Sequence, residues 1–182
     1  MEKLGVVLMA MLVPDLEAMI VPGLRAAGFS LGESFNSVQG KIGAVDWYEQ
    51  GSCLDDILLS NLGWVGVKSK VGAAIGLSKI VESFVYRDDW ISLDFGDANK
   101  LYRIVIGKGY LGKFKTVAPG DDLELLKGMY ELDFNDMDDD FLIIENGKYV
   151  EGISFVTDYR ASLEHAPDQK IEYISVHDWS FR

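Results

Sequence analysis

The sequence predicts an α+β protein in which two tandem strand–helix–meander units form an antiparallel sheet with short helices on one face, preceded by an N-terminal helical segment. Three observations predict this fold: an apolar-rich composition, an internal repeat, and short alternating runs separated by turn residues. We expect the N-terminal segment at residues 1–35, the first unit at 36–108 and the second at 109–182, together forming one two-lobed body.

Composition places the chain among folded globular proteins. Its 182 residues are 48% hydrophobic and 25% charged, which supplies enough apolar surface to offset the entropy of ordering the chain. This excludes disordered and collagen-like chains, and the presence of a single cysteine, Cys53, excludes a disulfide scaffold.

The charge of the chain is strongly acidic, because 17 basic residues are outnumbered by 29 acidic ones and the net charge is −12. Such a field repels the phosphates of a nucleic acid, which require clustered Lys and Arg. We therefore expect no nucleic-acid partner and favour a basic protein partner.

The N-terminal segment begins with an apolar run, Leu4–Val13. These ten residues are too few to cross a bilayer, which takes about 20, and the run lacks a positively charged start and a cleavage site. We expect no membrane span and a cytoplasmic location, and for residues 1–13 a cleaved signal and a structured segment remain as alternatives. From Asp15 to Ala27 the apolar residues have helical spacing, which predicts a helix with Pro14 in its first turn and Pro22 as a kink or an end.

The repeat relates two parts of the chain at an offset of 69 residues, which joins Ile42-Gly43 to Leu111-Gly112 and Leu54 to Leu123. Each copy is interpreted as a short strand, a glycine-containing turn and a helix start, with the second strand at 111–117. The first copy carries about seven extra residues, which we place in Val65–Gly76 as a loop or an additional element.

Each copy continues in three strand-like runs of alternating or apolar residues. The hairpin signal Asn146-Gly147 joins the first two runs of the second copy. The predicted strands are Ile80–Tyr86, Trp90–Phe95 and Leu101–Ile106 in the first copy, and Phe141–Glu145, Val150–Thr157 and Ile171–Val176 in the second.

Residue types that carry catalysis are scarce. The two histidines, His165 and His177, have no nucleophile near them in the sequence, although Asp178 follows His177. The glycine spacing of Gly107–Gly112 fits a dinucleotide fingerprint, but a strand rather than a helix is expected after it. We expect no enzyme activity, no cofactor and no metal; an enzyme would need Cys53 or His177 to approach a second polar group in a pocket.

An acidic run, Asp133–Asp140, is the most unusual segment of the chain. An EF-hand frame starting at Asp133 would require Gly at Asp138 and Glu at Ile144, so that frame fails. A solvated loop, a patch that faces a partner and an irregular calcium site remain as alternatives. The expected partner-binding residues are the run's carboxylates and the turn between the first two strands of copy one, namely Asp136, Asp138, Asp139, Asp140, Asp88, Asp89 and Trp90.

Glu151–Phe155 and Tyr173–Val176, with the repeated Gly51–Leu58 and Gly120–Leu126, give the chain a resemblance to the immunity proteins of bacterial polymorphic toxin systems. The resemblance covers roughly residues 40 to 179. It implies a cytosolic antidote that binds and neutralises one toxin domain, often a basic nuclease. The alternative is a regulatory or scaffold module, without enzyme activity, that binds another protein.

Overall fold

The computed structural model describes residues 12–51, 53–71 and 79–182. This part of the chain is mixed α+β, with three short α-helices and twelve strands. Within it, no helix is long and apolar enough to span a membrane. The elements are β1 (Arg25–Ala26), β2 (Phe29–Ser30), α1 (Phe35–Ile42), β3 (Trp47–Glu49), α2 (Leu54–Ser60), β4 (Trp64–Val71), β5 (Lys79–Tyr86), β6 (Ile91–Phe95), β7 (Leu101–Ile106), α3 (Leu123–Lys127), β8 (Glu131–Asn135), β9 (Asp140–Glu145), β10 (Lys148–Tyr149), β11 (Ile153–Thr157) and β12 (Ile171–His177).

One large sheet contains every strand except β1 and β2, which pair with each other. From β9 onward its order is β9-β11-β12-β7-β6-β5-β4-β3. Strand β10 pairs with the same edge of β9 as β11, and β8 pairs with the opposite edge. All neighbours are antiparallel except β3 and β4. Because β7 pairs with β12, the sheet runs without a break through both predicted units, and the boundaries between those units stay a prediction.

Side chains of the central strands alternate between the two faces of the sheet, as a period of two requires. On the core face, Ile91, Leu93 and Phe95 of β6 are at most 1% exposed. They join a large apolar cluster that also contains Val38 of α1 and Leu126 of α3. Fully burying one such side chain contributes about 1.5–3 kcal/mol, so this face supplies most of the stability.

Helix α2 lies on the other face, which corrects the expectation that the helices share one face. Trp64 of β4 belongs to the core-face cluster, whereas its neighbour Val65 packs with Leu58 of α2 in a second, smaller cluster. Adjacent residues of a strand point to opposite faces, so α2 is separated by the sheet from α1 and α3. The amphipathic pattern of a helix indicates the width of its apolar face, but it does not indicate which face of the sheet the helix covers.

The predicted N-terminal helix is wrong for the described part of the segment, because residues 15–27 form turns and β1 instead. Their backbone groups bond to distant parts of the chain: the Ile20 N–H donates to the Lys113 carbonyl and the Gly23 N–H to the Gly152 carbonyl. Pro22 lacks the N–H that a helix interior needs, and the competing tertiary bonds satisfy its neighbours. Residues 4–11 of the apolar run lie outside the described residues.

Two further expectations are resolved by the strand assignments. Residues 111–117 form no strand and contain one isolated bridge, between Phe114 and Val117. The additional segment of the first copy is strand β4 as far as Val71, and its remaining residues lie outside the described part. The strand prediction failed at 111–117 because the segment crosses the core face as a connection, where apolar residues are also required.

The predicted hairpin at Asn146-Gly147 is confirmed. These two residues connect β9 to β10 with φ values of 53° and 73°, the left-handed pair that a tight hairpin turn requires. The run Val150–Thr157 is interrupted, because β11 begins only at Ile153, after Gly152 at φ 78°.

The residues before α1 contact the start of β7 in the same way as the residues before α3 contact the start of β12. Ser34, at the start of α1, forms a bridge to Lys100, and Asp122, at the start of α3, forms a bridge to Lys170. The Gly32 N–H donates to the carbonyl of Leu101, the first residue of β7, just as the Gly120 N–H donates to that of Ile171, the first residue of β12. These pairs place α1 and α3 in equivalent positions.

This equivalence corrects the helix part of the 69-residue offset. That offset pairs α2 with α3, which lie on opposite faces of the sheet. The residues just before α1 precede their equivalents just before α3 by 88 positions, as Gly32 precedes Gly120 and Ser34 precedes Asp122. The side-chain bond from the Ser30 N–H to Glu33 is likewise repeated from the Ala118 N–H to Asp121.

Candidate functional site

The face of the sheet opposite the core carries an open groove of about 610 Å³, which we call the polar groove. Its floor consists of side chains from β4, β5, β6, β7 and β12. Its walls are α2, the turn between β5 and β6, the loop between β8 and β9, and the C-terminal end of the chain. The charged, polar and aromatic residues of its lining include Asp55, Ser83, Asp89, Ser92, Asp94, Tyr102, Arg103, Asp138, Arg160, Tyr173, Trp179 and Arg182.

The groove exists because the strands place small side chains side by side on this face. Ser83 of β5, Ser92 of β6 and Val105 of β7 line the groove, and strand pairing sets Ser83 beside Asp94 and Ser92 beside Val105. These small side chains leave a shallow channel across three strands where larger side chains would fill the space. Helix α2 covers only the end of the sheet near Val65, so the channel stays open.

A buried ion pair lies on the groove floor. Asp94, 3% exposed, accepts hydrogen bonds from Ser83 Oγ at 2.7 Å and Ser92 Oγ at 2.9 Å on Oδ1. Its Oδ2 accepts from Arg103 Nε at 2.6 Å. Both oxygens of this carboxylate are therefore satisfied, as burial of a charge requires. The attraction of Asp94 raises the pKa of Arg103, so the guanidinium stays charged.

An acidic corner adjoins this pair at the turn between β5 and β6. Burial raises the pKa of Asp89 above 3.8, and the neighbouring carboxylates of Asp88, Asp55, Asp94 and Glu172 raise it further. Repulsion among carboxylates on separate elements means that a positive charge placed there would be stabilised.

The structure distributes the predicted acidic run over three environments. Asp138 lines the groove, Asp136 and Asp139 are exposed at the tip of the loop between β8 and β9, and Asp140 is buried. The Asn135 amide holds the loop closed by donating to Asp138 at 3.2 Å and to Asp140 at 3.1 Å. The run is thus a hairpin turn with an ordered base, and one of its carboxylates is turned into the groove.

The second predicted group divides in the same way. Asp89 lines the groove, Asp88 is exposed, and Trp90 packs against the core cluster. The Trp90 ring is covered by the Arg87 guanidinium, 4.8 Å from the ring centroid, and by Gly109, where a Cβ would collide with it. The structure therefore brings Asp89 and Asp138 to one groove and gives Trp90 a packing role.

The exposed tryptophan of the groove is Trp179, which follows β12 and is 47% exposed. Its ring lies 5.6 Å from that of Tyr102 and 4.7 Å from that of His177. The Arg182 guanidinium lies over both Tyr102 and Trp179, at 5.8 and 5.6 Å from the ring centroids. Trp, Tyr and Arg are the residues that most often dominate protein–protein interfaces.

His177 and Cys53 are the two side chains on which an enzyme activity would depend. The Asp178 carboxylate accepts from the Ser180 N–H at 2.9 Å and is not hydrogen-bonded to His177. Hydrogen bonds from the Ser180 side chain and then from its backbone lower the pKa of Asp178. Burial lowers the pKa of His177, whose Nδ1 lies 3.5 Å from Ser175 Oγ. Cys53 is exposed at the start of α2. Across residues 12–51, 53–71 and 79–182, no three His, Cys, Asp or Glu side chains are grouped to hold a metal ion.

Sequence reasoning missed the groove-floor residues Ser83, Ser92, Asp94 and Arg103, and it missed Trp179 of the wall. A signal was present in the alternation of Ile91-Ser92-Leu93-Asp94-Phe95, which places Ser92 and Asp94 on the face away from the core. The partner of Asp94 was not visible, because Arg103 lies on another strand and its register follows from the complete sheet.

The sequence matches no protein-family model, and comparison with curated proteins and with solved structures gives no match.

Proposed function

We propose that the chain is a binding protein that holds a positively charged segment of a protein partner in the polar groove. The observation that carries the proposal is the convergence of Asp55, Asp89 and Asp138 on one groove from α2, a turn and a loop. In a chain of net charge −12, these carboxylates give the groove a field that attracts basic side chains.

Electrostatic attraction also increases the rate at which such a protein associates with its partner. Complementary charge raises association rates to about 10⁸–10⁹ M⁻¹s⁻¹ at low salt. The exposed carboxylates of Asp88, Asp136 and Asp139 extend the acidic field beyond the groove. An inhibitor that must reach its target before damage occurs gains directly from this rate.

We propose a bacterial toxin domain as the partner, so that the chain is a cytoplasmic immunity protein that does not itself catalyse a reaction. The resemblance described above and the acidic groove both support this partner. The alternative partner, a protein that the chain regulates or holds in place, requires the same groove and differs only in what is bound.

We also propose that the fold arose from two tandem units, with α1 through β7 equivalent to α3 through β12. Support comes from the bridges Ser34 to Lys100 and Asp122 to Lys170, and from the pairing of β7 with β12 at the centre of the sheet. In this alignment of the two units, β3, α2 and β4 have no equivalents in the second unit. Helix α2 therefore forms a wall at one end of the groove that is not repeated at the other end.

The test is co-expression of this chain with a bacterial toxin domain encoded by a neighbouring gene of the source genome, using D89N/D138N as the groove variant. We expect the wild-type chain to restore growth and the double variant to lose most of the rescue. The charge-matched control is E164Q/D168N, since Glu164 and Asp168 are exposed and lie outside the groove. Rescue by the groove variant equal to that by the wild type would contradict the proposal, and absence of any complex with the toxin domain would favour the regulatory alternative.

A further inference from the structure

We infer that Arg103 is the receptor for a carboxylate of the bound segment, an Asp or Glu side chain that lies between the segment's basic residues. This inference rests on the proposed function, because it requires a partner segment in the polar groove. It adds a specificity element that the overall acidity of the chain does not predict.

The first step is that Asp94 is fully occupied. Its two oxygens accept three hydrogen bonds, from Ser83, Ser92 and Arg103. Asp94 is also 3% exposed, so a ligand does not reach it. Its role is to fix the position and the charge of Arg103.

Second, Arg103 uses only one of its five N–H donors to bind Asp94. The bond to Asp94 is made through Nε, and neither terminal nitrogen of Arg103 hydrogen-bonds to any residue in the described part of the chain. The side chain is 39% exposed and lines the groove. A guanidinium held by Nε presents its two terminal nitrogens as a fork, whose geometry matches a carboxylate.

The third step concerns the charge of the ligand. Three arginines of the chain line the groove, Arg103, Arg160 and Arg182, together with four aspartates, which gives the lining a formal charge of −1. Arg160 also lies 3.6 Å from Glu172. A single carboxylate can therefore be neutralised locally by the arginine fork, whereas a phosphate dianion would face the surrounding carboxylates without sufficient compensation.

A pair of five-residue peptides tests the inference on the intact wild-type chain. The probes are N-acetylated, C-amidated Arg-Lys-Asp-Lys-Arg and the same peptide with Asn at its centre, with binding followed by NMR titration at fixed ionic strength. General attraction to an acidic protein predicts tighter binding of the Asn peptide, which carries one more net positive charge. The inference predicts the reverse, about tenfold tighter binding of the Asp peptide, as expected for one charge-assisted contact.

The variants R103K and R103Q identify the receptor. R103K keeps the charge and removes the fork, so we expect the preference for Asp to fall to about twofold; in R103Q the Asn peptide should bind more tightly. The wild-type comparison shows whether the groove has a carboxylate receptor, and R103K, which keeps the charge beside Asp94, assigns that receptor even if R103Q fails to fold; an unchanged preference for the Asp peptide in R103K would contradict the inference.

Different results would contradict the role of Arg103 and the proposed function. Binding of both peptides with the Asn form tighter would overturn the Arg103 inference and leave the proposed function standing. Failure of both peptides and of hexa-arginine to bind at millimolar concentration would overturn the binding of a basic segment as well. Inorganic phosphate competing more strongly than acetate at equal ionic strength would also contradict a carboxylate receptor.

Discussion

The two faces of the central sheet are built by the same strands and have opposite chemistry. In β6, Ile91, Leu93 and Phe95 are buried in the core cluster, while Ser92 and Asp94 between them form the groove floor. The comparison teaches that stability and binding are encoded at alternate positions of one strand. Substitutions at neighbouring residues should therefore separate the two properties.

The largest expected effect comes from breaking the core face. Leu93 is 0% exposed, so L93A leaves a cavity and should lower the free energy of unfolding by about 2–5 kcal/mol. The neighbouring S92A removes one of the two hydroxyls bonded to Asp94 Oδ1 and should cost about 1 kcal/mol. Urea unfolding measures both. A cost for S92A equal to that for L93A would show that the two faces are not energetically distinct.

Binding should depend on the groove face with little effect on stability. W179A removes an aromatic side chain that is 47% exposed and lines the groove, so we expect about tenfold weaker binding of hexa-arginine and a nearly unchanged unfolding midpoint. The matched control is Y159A, because Tyr159 is 65% exposed and does not line the groove. Equal loss of affinity in both variants would indicate that the peptide binds without a defined site.

A pH effect sharpens the same comparison. Burial on the groove face lowers the pKa of His177 below its ordinary value of 6.5. The unfolded chain then binds the proton more readily, so the contribution of His177 to stability is present above pH 6.5 and is lost as the pH falls below it. The urea midpoint of H177Q should fall less than that of the wild type between pH 7.5 and pH 5.5. A wild type and variant with the same pH dependence would contradict this cause.

The smallest expected effect lies away from both faces of the sheet. Gly40 is an exposed position inside α1, and a Cβ added there would contact nothing within 4 Å. G40A should raise the free energy of unfolding by about 0.5–1 kcal/mol, because alanine loses less backbone entropy in a helix than glycine does. Chemical denaturation provides the measurement, and unchanged peptide binding provides the control. A destabilised G40A would mean that α1 is constrained in a way its surroundings do not explain.

The sequence predicted the strands correctly where apolar and polar residues alternate strictly, because this alternation indicates one buried face of the sheet. The predicted run Leu101–Ile106 is strand β7 with the same limits, and Asn146-Gly147 forms the expected turn. Periodicity failed at Asp15–Ala27, where the backbone bonds to distant residues, and at 111–117, where an apolar connection crosses the core. Such segments are stabilised by tertiary contacts, which a local pattern does not contain.

The candidate site was predicted only in part for a related reason. Clustered carboxylates are visible in the sequence, and two of them, Asp89 and Asp138, do line the groove. The Asp94–Arg103 pair and the neighbouring Ser92–Val105 pair depend on the register of β6 and β7. A one-residue change of register would move each of these side chains to the other face. The 69-residue offset also paired two helices that lie on opposite faces of the sheet, because short matches of Gly and Leu do not distinguish α1 from α2.

The central claim is that a positively charged segment binds in the polar groove, and chemical-shift mapping of the ¹⁵N-labelled chain with hexa-arginine tests it most directly. We predict perturbations at Asp89, Arg103 and Asp138 on the groove face and none at Met19 and Leu111, which line an apolar depression elsewhere on the surface. Perturbations concentrated at Met19 and Leu111, with the groove resonances unchanged at saturation, would contradict the claim.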